Sequence, residues 1–203
     1  MLTAAFLGAV FFAVAGYLGA LLGVTFADRL PRLTDAPAPQ NTPVLALVAA
    51  CALIGAMVVT HAVSQGQVML IAIVCLALVA IWITDARRGL IPDVFTLGPL
   101  GIMLLVGVWQ HEWWLFISAA LPFIPFAVAA MLSRGRGMGW GDVKLVALGG
   151  AVLGAQVAIL AFAAACLAAV AVNYTRGNKR GPIAFAPYLA AAIGVAIPIG
   201  ILR

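Results

Sequence analysis

Two aspartates stand where so apolar a chain has little reason to place a charge. Asp142 follows Gly137-Met138-Gly139-Trp140-Gly141 and precedes Val143-Lys144-Leu145, while Asp85 follows Ile81-Trp82-Ile83-Thr84. Glycine permits sharp turns and close backbone approach, so Asp142 has few neighbouring side chains to shield it. An acid near the hydrocarbon boundary is costly unless it is paired, hydrated or functional. Two carboxylates in one partly desolvated site cannot both ionise easily, so the pair can hold a single proton. The ionised member can then take a proton from water while the protonated member supports a peptide carbonyl, which is acid–base proteolysis.

Each acid also has a plainer reading. Asp142 opens an apolar block, where a carboxylate caps the free amides and suits the helix dipole. Asp85 closes a block, where an acid opposes the dipole, so capping does not account for it. Asp93 follows Ile91-Pro92 and opens the next block, and it is read as a helix cap. No serine or cysteine pairs convincingly with a histidine as a competing nucleophile, since both histidines fall on the side of the membrane opposite these acids. His61 and His111 fall in connectors and are read as interfacial polar residues. Cys51, Cys75 and Cys166 lie one per apolar block, without CxxC or zinc-site spacing. They are read as packing residues, and no metal, cofactor or disulfide is implied.

The elements that position these acids follow from composition. The chain is 66% hydrophobic and 8% charged, against about a quarter charged in globular domains, and its mean hydropathy is +1.19. It therefore reads as an all-α, polytopic integral membrane protein, a single domain spanning residues 1–203. The first block, Met1 to about Val24, contains no Lys or Arg, so it lacks the basic start of a signal peptide. A short polar, proline-punctuated loop at 34–43 follows. Further blocks run roughly Val44–Thr60, Val68–Thr84, Val94–Trp109, Trp113–Leu132, Val143–Gly154, Ala155–Val172 and Ile183–Leu202. Several fall short of the ~20 residues of a standard span, yet eight transmembrane helices are expected.

Charge then sets orientation. All Lys and Arg except Arg203 lie on one side of this topology, and all acids except Glu112 share that side. The positive-inside rule makes it cytoplasmic, with both termini outward and Trp109, Trp113 and Trp114 at the opposite interface. Because basic residues occur as singles and pairs between apolar blocks, nucleic-acid binding is excluded in favour of the lipid bilayer as partner. Asp85 ends one helix and Asp142 begins another of opposite direction, which brings both to a similar depth.

The same residues carry a resemblance. Gly137 to Leu145, with Gly149 and Gly154 beyond, resembles the GxGD signature of bacterial type IV prepilin peptidases. Asp85-Ala86-Arg87-Arg88-Gly89-Leu90-Ile91-Pro92-Asp93-Val94-Phe95-Thr96-Leu97 resembles that family's first aspartate segment. Weaker echoes are Gly19 to Pro31 and Ile183-Ala184-Phe185-Ala186-Pro187-Tyr188. The resemblance implies the eight-span GxGD aspartyl protease fold, with Asp85 and Asp142 catalytic, near the cytoplasmic face of the bacterial inner membrane. The implied substrate is the N-terminal segment of a prepilin or pseudopilin of a type IV pilus or type II secretion system: a short basic leader, a glycine before the cut, then a hydrophobic helix. Gly137, Gly139 and Gly141 would let an extended substrate strand approach. Lys144 and Arg87/Arg88 are read as anchors at the lipid head groups, or as groups that orient acidic parts of the substrate.

One departure matters. Bifunctional members of that family carry a large cytoplasmic insertion with paired CxxC motifs, linked to N-methylation of the mature pilin. Here the corresponding loop is reduced to 34–43 and holds no cysteine, so cleavage is expected without zinc and without the part linked to methylation. The rival reading is a small proton-coupled transporter, which predicts acids near the midplane and broken helices in matching halves. Here the acids sit at block ends and the halves do not match.

Overall fold

A bilayer core offers no water to backbone amides, so a chain of this composition satisfies them within helices. A computed structural model describes residues 1–31, 42–61, 64–132, 138–175 and 185–201, and no strand occurs among them. The helices in chain order are α1 (Leu2–Arg29), α2 (Val44–His61), α3 (Gln65–Arg88), α4 (Asp93–Trp109), α5 (Trp114–Leu132), α6 (Trp140–Leu153), α7 (Ala155–Thr175) and α8 (Ala186–Ile201). They match the eight apolar blocks one for one. Five of them, α1, α2, α3, α5 and α7, are long and apolar enough to cross a membrane, and α4 and α8 are shorter apolar helices. The 14 residues of α6 rise about 21 Å, less than the roughly 30 Å of a hydrocarbon core. The protein is thus an all-α polytopic membrane protein in which the helix carrying Asp142 is too short to cross alone. Most of the 34–43 loop, Gly137, and Ile183-Ala184 lie outside the described residues.

Local chemistry moves several boundaries away from those expected. Ser64 caps α3, its side chain accepting from the Gln67 amide at 3.2 Å, so the helix starts before Val68. At the other end Gly89 adopts φ 70°, ψ 25°, and its N–H donates to the Asp85 carbonyl at 2.8 Å. This left-handed stop is one that glycine makes without Cβ strain. Asp85 therefore lies inside the last turn of α3, with Arg87 and Arg88 still helical. The cap of α4 is a correction: Pro92 occupies the cap position, extended at φ −65° and ψ 133°, with no side-chain cap bond. Asp93 is instead the first helical residue, where a carboxylate still suits the dipole.

Packing divides the helices into two groups. One is α1, α2 and α3; the other is α5, α6 and α7; α4 and α8 each touch both. Small residues let the backbones meet, as interfaces within membranes require. Gly8 of α1 and Gly55 of α2 face each other so closely that a Cβ on either would collide with the other's carbonyl oxygen. Across the second group Gly150 lies against the Ser118 carbonyl. Pro122 lacks the N–H that would otherwise bond that carbonyl one turn earlier, so the proline leaves the oxygen free and the glycine admits it. Short α6 sits at the centre, with Val143, Leu145, Val146 and Leu148 fully buried among α4, α5, α7 and α8.

Candidate active site

Asp85 and Asp142 are buried, at 7% and 9% exposure, in a protein whose only other buried polar side chains among the described residues are Thr84 and Thr96. The two carboxylates lie within electrostatic reach of each other. Their helices lack extensive direct contact among the described residues and meet through shared neighbours, α4 and α8. Asp85 lies in the last turn of α3 and Asp142 in the first turn of α6.

The two acids differ in what holds them. Asp142 is the third residue of α6; its Oδ2 accepts from the Gly139 amide at 3.3 Å, and the Gly139 carbonyl accepts from the Asp142 and Val143 amides. Glycine has no side chain to complete a reciprocal box, so the carboxylate alone closes the helix start. Gly139, not Asp142, holds the cap position, so the capping weighed for Asp142 is met only by this one bond from the third helical residue, which leaves its second oxygen available. Asp85 has no such support, and its Oδ2 is buried with no hydrogen-bond partner among the described residues. The neighbouring Thr84 hydroxyl donates back to the carbonyls of Ala80 and Ile81 at 3.0 and 3.1 Å, so it is already engaged within its own helix. An unpartnered buried acceptor costs about 1–3 kcal/mol, and no contact among the described residues offsets that cost for Asp85 Oδ2.

The remaining site residues are placed less uniformly. Gly139 is exposed and sits beside the acid, a Cβ there standing 3.6 Å from Asp142 Oδ2. Gly141 is committed elsewhere: a Cβ on it would lie 2.9 Å from the Ile91 Cβ, so its missing side chain seats the turn before α4. Gly137 lies outside the described residues. Lys144 and Asp93 form an ion pair, Nζ to Oδ1 at 2.6 Å, so the amine expected at lipid or substrate is held by a side chain of the protein. Arg88 is likewise engaged, its Nε donating to the Ala27 carbonyl and tying the end of α3 to α1.

Ile91 was named in the sequence reading only as part of a segment and was given no role, because an apolar residue before a proline carries no signal of its own. The Asp93–Lys144 pair was accessible in principle. Opposite charges opening two helices on one side of the membrane are candidates to meet, although one sequence cannot supply the approach of α4 to α6.

Both aspartates fall within the region that known proteins match. Residues 69–173 match the type IV leader peptidase family. The chain is 35% identical over 122 residues to the prepilin leader peptidase/N-methyltransferase of Bacillus subtilis (strain 168), covering 56% of this chain and 49% of that protein. It is 36% identical over 134 residues to the prepilin leader peptidase/N-methyltransferase of Burkholderia pseudomallei (strain 1026b), covering 58% of this chain and 42% of that protein. The chain thus spans about half the length of the curated relatives it matches, or somewhat less. No solved structure matches it. Because the family match takes in just over half of the chain and runs through both buried aspartates, this protein belongs to the type IV leader peptidase family.

Proposed function

We propose that the chain is a membrane aspartic endopeptidase that removes the leader from prepilins or pseudopilins, with Asp85 and Asp142 as its catalytic pair. The observation that carries this reading is the unpartnered, buried Asp85 oxygen within electrostatic reach of Asp142. Family membership supports the peptidase class, and the names of the curated relatives support the substrate class. The whole of residues 1–203 acts as one membrane domain.

The helix ends support different roles within the proposed pair. Asp142 lies at an N-terminus, where the dipole and the Gly139 amide favour the charged carboxylate. Asp85 lies at a C-terminus, where the dipole disfavours it. Asp142 is then the base that takes a proton from the attacking water, and Asp85 holds the shared proton and donates it to the scissile carbonyl oxygen. As the tetrahedral diol collapses, Asp142 gives its proton to the leaving amine and a diol hydroxyl returns one to Asp85, so the pair again holds a single proton on Asp85. Exposed Gly139 lets an extended leader segment come close to this centre.

The basic connectors support a cytoplasmic position for the site in a bacterial inner membrane. The basic leader of a prepilin stays on that side while its hydrophobic helix lies in the bilayer, so the scissile junction arrives at the depth of the pair. Incubating detergent-solubilised protein with a prepilin and following leader release tests the reading. Asp85→Asn and Asp142→Asn should each abolish cleavage, and Asp93→Asn should retain a substantial part of it. Full activity in either of the first two would sink the assignment.

A further inference from the structure

We infer that Asp93 and Lys144 act together as a clamp that fixes the separation of Asp85 and Asp142, which makes both of them positioning residues. The inference rests on the peptidase reading above for its kinetic consequences and on geometry alone for its structural ones. Asp85 belongs to the α1–α3 group and Asp142 to the α5–α7 group, and α3 and α6 have no extensive contact of their own among the described residues. Something must therefore set the gap between the two acids. The covalent route out of Asp85 is short: the end of α3, the Gly89 stop, Leu90-Ile91-Pro92, then Asp93 opening α4.

That route is fastened to α6 at two points on either side of Asp142. Ile91 fills the space left by Gly141, where a Cβ would lie 2.9 Å from the Ile91 Cβ, and Asp93 Oδ1 lies 2.6 Å from Lys144 Nζ. Asp85, Asp93, Lys144 and Asp142 thus form a continuous path from one acid to the other, covalent along α3–α4 and along α6 and ionic where the two meet. On the far side, Phe95 of α4 packs edge-on against Phe26 of α1, with ring centroids 5.0 Å apart. The start of α4 is thereby held between the two helix groups.

The exposure of the pair separates this role from simple stabilisation. The side chains of Lys144 and Asp93 are 29% and 61% exposed, and ion pairs in such settings add little to folding stability. Placement of reacting groups is far more demanding, since a misplacement of about 1 Å can cost on the order of 100-fold in rate. Breaking the pair should consequently show in turnover before it shows in unfolding. It also separates the clamp from substrate binding by Lys144, which would appear in KM.

The test combines kinetics with a measurement that needs no activity. Lys144→Met should lower kcat by about tenfold with KM and the melting temperature unchanged, and Asp93→Asn, which keeps an acceptor without its charge, should fall between it and the wild type. The exchanged pair Asp93→Lys with Lys144→Asp should recover at least half of the lost kcat. Wild-type kcat in Lys144→Met, a rise in KM alone, or an exchange no better than the single changes overturns the clamp.

In the second arm, a background of Cys51→Ala, Cys75→Ala and Cys166→Ala carries Asp85→Cys and Asp142→Cys, and is treated with bifunctional thiol reagents of graded length. Adding Lys144→Met should broaden the range of lengths that cross-link. An unchanged range overturns the clamp even if the protein cleaves nothing. A broadened range together with an inactive wild-type protein retains the clamp and rejects the peptidase reading instead.

Discussion

The Gly89 amide donates to the Asp85 carbonyl at 2.8 Å, with Gly89 in the left-handed conformation at φ 70°. This contact ends α3 one turn beyond the aspartate and turns the chain towards Ile91 and α4. Had the helix continued, Leu90 to Asp93 could not have reached α6, where Gly141 and Lys144 receive them.

Gly89→Ala places a Cβ in a left-handed turn, which costs about 1–2 kcal/mol. The expected result is a corresponding drop in stability to unfolding in detergent, together with slower leader cleavage, because strain relief at residue 89 shifts the start of α4. Unchanged stability would show that the turn relaxes without penalty and that the stop does not depend on glycine.

Gly150→Ala tests how tightly the Asp142 helix is seated. A Cβ at 150 collides with the Ser118 carbonyl on α5, a backbone atom that cannot rotate away, and overpacking of this kind costs roughly 1–3 kcal/mol. Gly98 of α4 is the control, since nothing lies within 4 Å of a Cβ built there, and Gly98→Ala should be neutral. Equal effects from the two substitutions would mean that helix propensity, and not the α5–α6 approach, decides the outcome.

These contacts mark the limit of what was legible in the sequence. Apolar blocks and charge distribution sufficed for eight helices in order, since a backbone in lipid has few alternatives. The two acids were legible because a charge in such a chain needs a reason. Boundaries set by a single residue were not: the cap at Ser64 and the extension of α3 through Arg88 depend on local bonds that hydropathy does not register. Nor did hydropathy distinguish α6, enclosed by four neighbours and too short to cross alone, from a lipid-facing span. The partners of Lys144 and Arg88 were hidden for another reason. A basic residue at a helix end has lipid, substrate and protein all available, and only the tertiary approach of α6 to α4 and of α3 to α1 selects among them.

On the proposed mechanism, the pH dependence of cleavage follows from one proton shared by two acids. At low pH both Asp85 and Asp142 are protonated and no base remains to activate water; at high pH both are ionised and no acid remains to support the carbonyl. Activity should therefore be bell-shaped in pH, with kcat/KM falling on both sides of a maximum. Measured on a prepilin in a fixed detergent, a profile that rises to a plateau and stays there would exclude a shared proton and point to a single essential base.

Methyl transfer gives the remaining prediction. The curated relatives named as both peptidase and N-methyltransferase are matched over 49% and 42% of their lengths, and the matched family region of this chain, 69–173, contains both aspartates. Between α1 and α2 this chain has a short proline-rich stretch without cysteine, and we propose that the chain does not transfer methyl groups. Purified protein supplied with a prepilin and labelled S-adenosylmethionine should release the leader and leave the new N-terminus unlabelled. Label on the cleaved product, lost again in Asp85→Asn because no free N-terminus forms, would place methyl transfer within these eight helices and separate it from the cytoplasmic insertion.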